Sequence, residues 1–180
     1  MAWYLSDSQN VNIDNQLTFL SNPGNNGEVV YNSSGLPTWK KITGISRFID
    51  TTNGVQDMNS SPTVVSFNTE SINDANISYG VTRFDINDEG YYTIDFQCLL
   101  SNGGAQTGFS VVVNGSFVYT QLSTEMDINY YVPFNMKYAG YFLSGDRIEI
   151  YGEKYQNGPN YLSTDPIYNN PVTQLIITKS

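Results

Sequence analysis

The chain has 180 residues, 8 basic against 17 acidic, a net charge of −9, one cysteine and no histidine. That balance argues against nucleic acid, which needs clustered Lys and Arg. The lone Cys98 rules out an internal disulfide, and the missing histidine rules out Ser-His-Asp and Cys-His catalysis and the usual zinc sites.

No apolar run approaches the about 18 residues of a membrane span, so no membrane insertion is expected. The start, MAWYLSDSQN, lacks the basic residues and apolar stretch of a signal peptide. The expected route out of a cell is therefore lysis or a particle rather than secretion. Composition sets the fold class. There are 21 Asn, 14 Tyr and 9 Phe, and only 14% of residues are charged. Asn, Gly and Ser favour turns, while Tyr, Phe, Val, Ile and Thr favour strands. The expectation is all-β.

Residues 1–43 differ from the rest. Gln16–Leu20 and Glu28–Tyr31 are short strand candidates, separated by the turn signals Pro23-Gly24 and Asn25-Asn26-Gly27. Asn32–Gly35 is a further turn, followed by Pro37-Thr38-Trp39. Strands this short bury little alone, so the segment is expected to need a neighbouring surface.

From Ile45 the strand signals grow dense. Ser46–Asp50 and Thr63–Phe67 are candidates, and the polar Asn73–Tyr79 reads as a connection. Val81–Ile86 and Tyr91–Leu100 read as a strand-turn-strand hairpin about Asn87–Gly90. Tyr92, Ile94, Phe96, Cys98 and Leu100 alternate with Thr93, Asp95 and Gln97, so one face of that strand is apolar. Cys98 falls in phase with it and is expected to be a small buried group.

Asn114-Gly115 between apolar runs is a type I′ hairpin signal, pairing Val113 with Ser116 and Val112 with Phe117. It assigns Val111, Val113 and Val118 to one face and Val112, Phe117 and Tyr119 to the other. Pro133 confines Asp127–Gly140 to an edge or a bulge. Ser144-Gly145-Asp146 is a turn, Arg147–Tyr155 alternates again, Gln156–Pro171 is a long polar loop, and Val172–Thr178 closes the chain as an apolar strand. Roughly eight to ten strands at this spacing make an antiparallel sandwich or jelly roll.

Two resemblances add to this reading. Pro23-Gly24, Gly27–Val30, Ser34-Gly35 and Pro37–Trp39 resemble a segment common in bacteriophage tail, collar and head fibres. The Gly90-Tyr91-Tyr92 step, the Val111–Gly115 run and Leu143–Asp146 before Ile148 and Ile150 are similar to the C1q and tumour-necrosis-factor jelly-roll family. The Phe-x-Gly-Phe step usual near that family's C-terminus is replaced by Val172-Thr173-Gln174-Leu175, and no collagen repeat precedes the domain. The likeness implies a homotrimer packed around a threefold axis, with Tyr119, Tyr130, Tyr131, Phe134 and Tyr138 as expected interface residues. Tyrosine suits such a surface because its ring packs while its hydroxyl stays wet.

The expected organisation is an attachment or stalk segment, 1–43, and a jelly-roll knob, 44–180. The expected function is a non-enzymatic virion component, assembled in the host cytoplasm: a fibre, spike or head-decoration protein. Its expected partners are other virion proteins through 1–43 and a host-surface glycan or protein. The alternative is a cellular C1q-like lectin or ligand-binding module. Tyr155, Asn157, Asn160, Tyr161 and Tyr168 are the expected binding residues, because Gln156–Pro171 reads as an exposed tip.

Other chemistry reads weakly. Asp85, Asp88 and Glu89 flank one turn, and Asp146 and Glu149 another; a carboxylate glycosidase is the third hypothesis. Such groups more often cap turns. No cofactor is expected, with Ca²⁺ held by these carboxylates as the minority reading. Tyr130, Tyr131, Phe134, Tyr138 and Tyr141, with Asn129 and Asn135 among them, suit either a sugar-stacking surface or an interface and core. The sequons at Asn32, Asn59, Asn76 and Asn114 read as chance products of an Asn- and Ser-rich chain.

Overall fold

The computed structural model describes residues 28–33, 36–41, 43–51, 55–56, 58, 60–101, 106–123, 132–154, 160–162 and 173–180. Every helix or strand among them is a β-strand. In chain order these are β1 (Glu28–Ser33), β2 (Leu36–Lys41), β3 (Gly44–Ile49), β4 (Val55–Gln56), β5 (Thr63–Val64), β6 (Thr69–Asn73), β7 (Ile77–Gly80) and β8 (Arg83–Ile86). They continue as β9 (Gly90–Ser101), β10 (Thr107–Val113), β11 (Ser116–Leu122), β12 (Val132–Phe142), β13 (Arg147–Lys154), β14 (Asn160–Leu162) and β15 (Gln174–Lys179).

The chain falls into two compact units, Met1–Ile42 and Thr43–Ser180. In the first, β1 and β2 form an antiparallel hairpin whose register runs from Glu28 opposite Lys41 to Ser33 opposite Leu36. The strand candidate Gln16–Leu20 lies outside the described residues.

The second unit holds two antiparallel sheets. One has the order β11-β10-β13-β8-β7, with β5 also on β13. The other has the order β4-β14-β9-β15-β3-β6, with β12 on the opposite side of β9. The inward faces meet in a single core. The larger sheet supplies Phe48, Ile94, Phe96, Leu175 and Ile177, and the smaller supplies Phe84, Phe109, Val111, Ile148 and Ile150, all fully buried. Aromatic rings bridge the layers: Phe48 to Phe84 at 4.6 Å and Phe96 to Phe109 at 4.8 Å between centroids. Such aromatic pairs add to area burial, the dominant driving force.

The alternation read along Tyr92–Leu100 is the inward face of β9, the longest strand and the one that β12, β15 and β14 all pair with. Cys98 is buried, and burial pushes its thiol well above the usual range. The Asn114-Gly115 turn has φ of 51° and 80°, and Val113 pairs with Ser116 and Val112 with Phe117 as expected. The last strand, β15, lies between β9 and β3, with Leu175 and Ile177 inward.

Several local expectations fail for reasons of longer range. Val81–Ile86 and Tyr91–Leu100 are not a hairpin. β8 pairs with β7 and β13, while β9 pairs in the other sheet, so Asn87–Glu89 carries the chain across the sandwich. Val81 and Thr82 turn between β7 and β8 instead of opening a strand. Asn73–Tyr79, read as a connection, contributes to β6 and β7. Only Thr63–Val64 of Thr63–Phe67 is strand, although Val65 and Phe67 are buried. A bulge between Val111 and Val112 sets Val111 opposite Tyr119. Val118 therefore does not join Val111 in the core and is exposed. Residues 160–162, assigned to a long loop, pair with β9 and β4 as β14.

Candidate functional site

β9, β15, β3 and β12 bury one face and leave the other open. Period-two alternation puts Tyr91, Thr93, Asp95, Gln97 and Leu99 of β9 outward. Cross-strand register aligns them with Tyr141, Ala139, Lys137, Asn135 and Pro133 of β12. On the other side, Thr178, Ile176 and Gln174 of β15 stand opposite Thr93, Asp95 and Gln97. Ile45, Arg47 and Ile49 of β3 complete the face. Tyr91 is 65% exposed and Tyr141 54%, and their rings meet edge-on at 5.2 Å. Ile45 and Leu143 are exposed as well.

A hydrogen-bonded row crosses the middle of this face. Arg47 Nε donates to Gln174 Oε1 at 2.9 Å, and Gln174 Nε2 to Gln97 Oε1 at 2.7 Å. Gln97 Nε2 donates to Asp95 Oδ1 at 3.1 Å, and Asn135 Nδ2 reaches the same oxygen at 2.8 Å. Lys137 Nζ lies 3.8 Å from Asp95 Oδ2. The row spans β3, β15, β9 and β12.

A second apolar surface lies on β11, an edge strand exposed along almost its whole length. Phe117 is 56% exposed, and Val118, Tyr119 and Leu122 are exposed beside it. Tyr119 stacks on Tyr138 of β12 at 6.0 Å, and Gln121 Nε2 donates to the Asn135 carbonyl oxygen at 2.8 Å. The edges of the two sheets thus meet at β11 and β12.

Of the expected interface residues, Tyr119 is exposed and Tyr138 is half-buried against the core. Phe134 is 6% exposed and packs on Phe109 at 4.9 Å, so it belongs to the chain's own core and is not available to a partner. Tyr130 and Tyr131 lie outside the described residues. So do Tyr155, Asn157 and Tyr168 of the expected tip, while Asn160 and Tyr161 are held in β14 between β9 and β4. The Tyr-Asn cluster of residues 129–141 is split by alternation, with Asn135 and Tyr141 outward and Phe134 inward.

The acidic turns are engaged in holding one end of the sandwich together. Asp85 pairs with Arg83 at 2.9 Å and Arg147 at 3.5 Å. Asp146 accepts from Asn114 Nδ2 at 2.8 Å and from the Leu143 amide at 2.7 Å. Among the described residues no three His, Cys, Asp or Glu side chains come together as a metal site. Asp88 accepts from Asn76 Nδ2 at 3.2 Å and lies 3.4 Å from Lys179 Nζ.

The Lys179 side chain is almost fully buried, with its ammonium 5.7 Å from the Tyr92 ring centroid. Its nitrogen has no hydrogen-bond partner among the described residues, so the ion pair with Asp88 is its main compensation. The Tyr92 hydroxyl donates to the Asp88 carbonyl oxygen at 2.6 Å, and burial first, then the Asp88 carboxylate, pushes it up. Asp88→Asn is expected to lower stability by about 2 kcal/mol in urea unfolding. That is less than the 3–5 kcal/mol lost when a fully buried pair is broken, because Asp88 is partly exposed. Adding Lys179→Met to it should recover most of the loss; a double variant weaker than Asp88→Asn alone would contradict this account of the pair.

No family model matches the chain, and no curated protein matches it. Solved structures do. The chain is similar to murine APRIL at pH 8.0, with 14% identity and a TM-score of 0.57, over 77% of this chain and 99% of that one. It is also similar to the Eiger TNF from S. frugiperda, with 10% identity and a TM-score of 0.59, over 77% and 92%. The fold is a jelly roll of the tumour-necrosis-factor type. At these identities the likeness shows the fold alone.

Proposed function

We propose that the chain is a non-catalytic recognition module that closes into a homotrimer through the open face of its larger sheet. The observation that carries this is a sheet whose outer face, opposite the core, also carries large apolar side chains on both sides of a polar row. β15 directs Leu175 and Ile177 into the core and Ile176 outward. Ile45, Ile49, Tyr91, Leu99, Pro133, Ala139 and Tyr141 stand on the same outer face, to either side of the polar row that crosses it. A sheet with one solvated face alternates apolar and polar, and contiguous outward apolar surface marks a place where something docks.

The symmetry follows from there being two such surfaces. A twofold dimer needs one self-complementary patch, whereas a closed ring joins two different patches. The sheet face and the exposed β11 strip supply the two. A trimer is also what resemblance to the C1q and tumour-necrosis-factor family implies.

The ligand-type setting has the fold neighbours behind it. The virion fibre or decoration role, with attachment through 1–43, rests on the likeness of Pro23–Trp39 alone. Both settings use the same trimeric head.

Hydroxyl-radical footprinting of the full chain tests the covered face. Tyr91, Tyr141 and Leu143, each more than half exposed in the single chain, should oxidise at least several-fold more slowly than their single-chain exposure implies. Oxidation at the full rate would overturn the reading.

A further inference from the structure

The row joining Arg47, Gln174, Gln97 and Asp95 is more ordered than a solvated surface requires. Exposed side-chain hydrogen bonds compete with water and cost rotamer freedom. Here each glutamine uses both ends of its amide, accepting from one neighbour and donating to the next, so that all links point from the guanidinium toward one carboxylate. Asn135 and Lys137 converge on the same carboxylate from β12. Arg47, Asp95 and Lys137 are also the only fixed charges on the outward faces of β3, β9, β12 and β15. A polar belt is buried at low cost only if every member is satisfied, and here the internal links satisfy part of each side chain and leave the remaining N–H groups for a partner to meet.

We propose that this belt is the element by which a second copy of the chain is recognised and held in one register on the sheet face. The proposal rests on the trimer reading above and names its specificity element. An apolar face alone accepts any apolar surface and lets it slide. A polar group within an apolar seam fixes register because only one alignment leaves it satisfied.

The occupant is the β11 strip of the next copy. Along β11, Phe117 lies against Tyr151 on one side of the sheet and Tyr119 against Tyr138 of β12 on the other, with Thr120 and Gln121 following before Leu122, so the strip meets a partner edge-on. Along the face the order is the Tyr91–Tyr141 pair, the belt, then Leu99 and Pro133. The chemistry matches. Beyond its internal bonds the belt keeps one N–H on each of three amides and further N–H groups on Lys137, a surplus of donors. β11 pairs only with β10 in its sheet, so its outer edge leaves backbone N–H and carbonyl groups outside the ladder, and the carbonyl oxygens among them can accept from those donors.

Native mass spectrometry of the full-length protein tests this on the wild type, Gln97→Leu and Gln174→Leu. Each substitution cuts the row while keeping an apolar side chain of similar size. The expected result is one three-chain species for the wild type. In each variant that species falls at least tenfold, replaced by single chains or a spread of masses, while near-ultraviolet circular dichroism stays native. Should either leucine variant fail to fold, Asp95→Asn, which removes the charge and keeps the shape, is expected to give the same spread. Variants that keep the single three-chain species overturn the belt proposal and leave the trimer intact. A wild type found only as single chains overturns the trimer reading and the belt with it.

Discussion

Phe96→Ala is expected to lower the unfolding free energy by about 3–5 kcal/mol, the range for removing a fully buried aromatic ring. Phe96 has no solvent exposure and sits where the layers meet. Its ring lies 4.8 Å from Phe109 of β10, 6.2 Å from Phe67 and 6.4 Å from Phe134 of β12. Leu175 stands beside it across the β9–β15 pair. Truncation empties a space bounded by both sheets, and neither can collapse into it without disturbing the ladder on its own side. Guanidinium unfolding with an unchanged denaturant slope is the check. A loss below about 1 kcal/mol would mean that the sheets do not interlock at β9.

Gly44→Ala is the second large effect. An added Cβ would lie 2.3 Å from the Asp74 carbonyl oxygen, 2.6 Å from its carbon and 2.8 Å from Ala75 Cα. These are backbone atoms and cannot swing aside. The segment is also tied down: the Asp74 amide donates to Ile45 O at 2.9 Å, the Ala75 amide to Ser46 Oγ at 3.1 Å, and Ser46 Oγ to Asn73 Oδ1 at 2.7 Å. The expected loss is about 3 kcal/mol, the upper end for overpacking. Gly152→Ala is the comparison, because its nearest obstacle is the Met58 sulfur at 2.5 Å on a flexible side chain. Gly152→Ala should therefore cost less than Gly44→Ala in thermal unfolding, and the reverse order would contradict this reading of the two contacts.

These effects show which parts of the fold are legible in the chain. β9 is legible because one of its faces is wholly buried, so Tyr92, Ile94, Phe96, Cys98 and Leu100 repeat without interruption. The Asn114-Gly115 turn is legible because positive φ at two adjacent residues leaves few sequence choices. β6 is not, because four of its five residues are exposed at a sheet edge and nothing selects apolar alternation there. Nor does the turn at Asn87–Gly90 reveal whether its flanking strands pair or part. That outcome belongs to β13, which takes β8 into one sheet, and to β12 and β15, which take β9 into the other.

The candidate site divides the same way. Asp95 and Gln97 stand out of phase with the apolar face, so their outward position is visible in the sequence. Their partners are not. Arg47 and Gln174 are 127 positions apart and Gln174 and Gln97 are 77 apart, and only the order β3-β15-β9-β12 brings them together. Tyrosine content pointed to an interface, but at Phe134 the same aromatic signal marks the core.

The central claim is that the outer face of β3, β15, β9 and β12 is covered by another copy of the chain. Ile176 lies at its centre, with Arg47 on one side and Asp95 on the other. The measurement is the light-scattering mass of the full-length wild type beside Ile176→Asp at matched concentration. Three chain masses for the wild type and one for a still-folded Ile176→Asp is the predicted result. A wild type that runs at one chain mass, or an Ile176→Asp protein that remains at three, would contradict it.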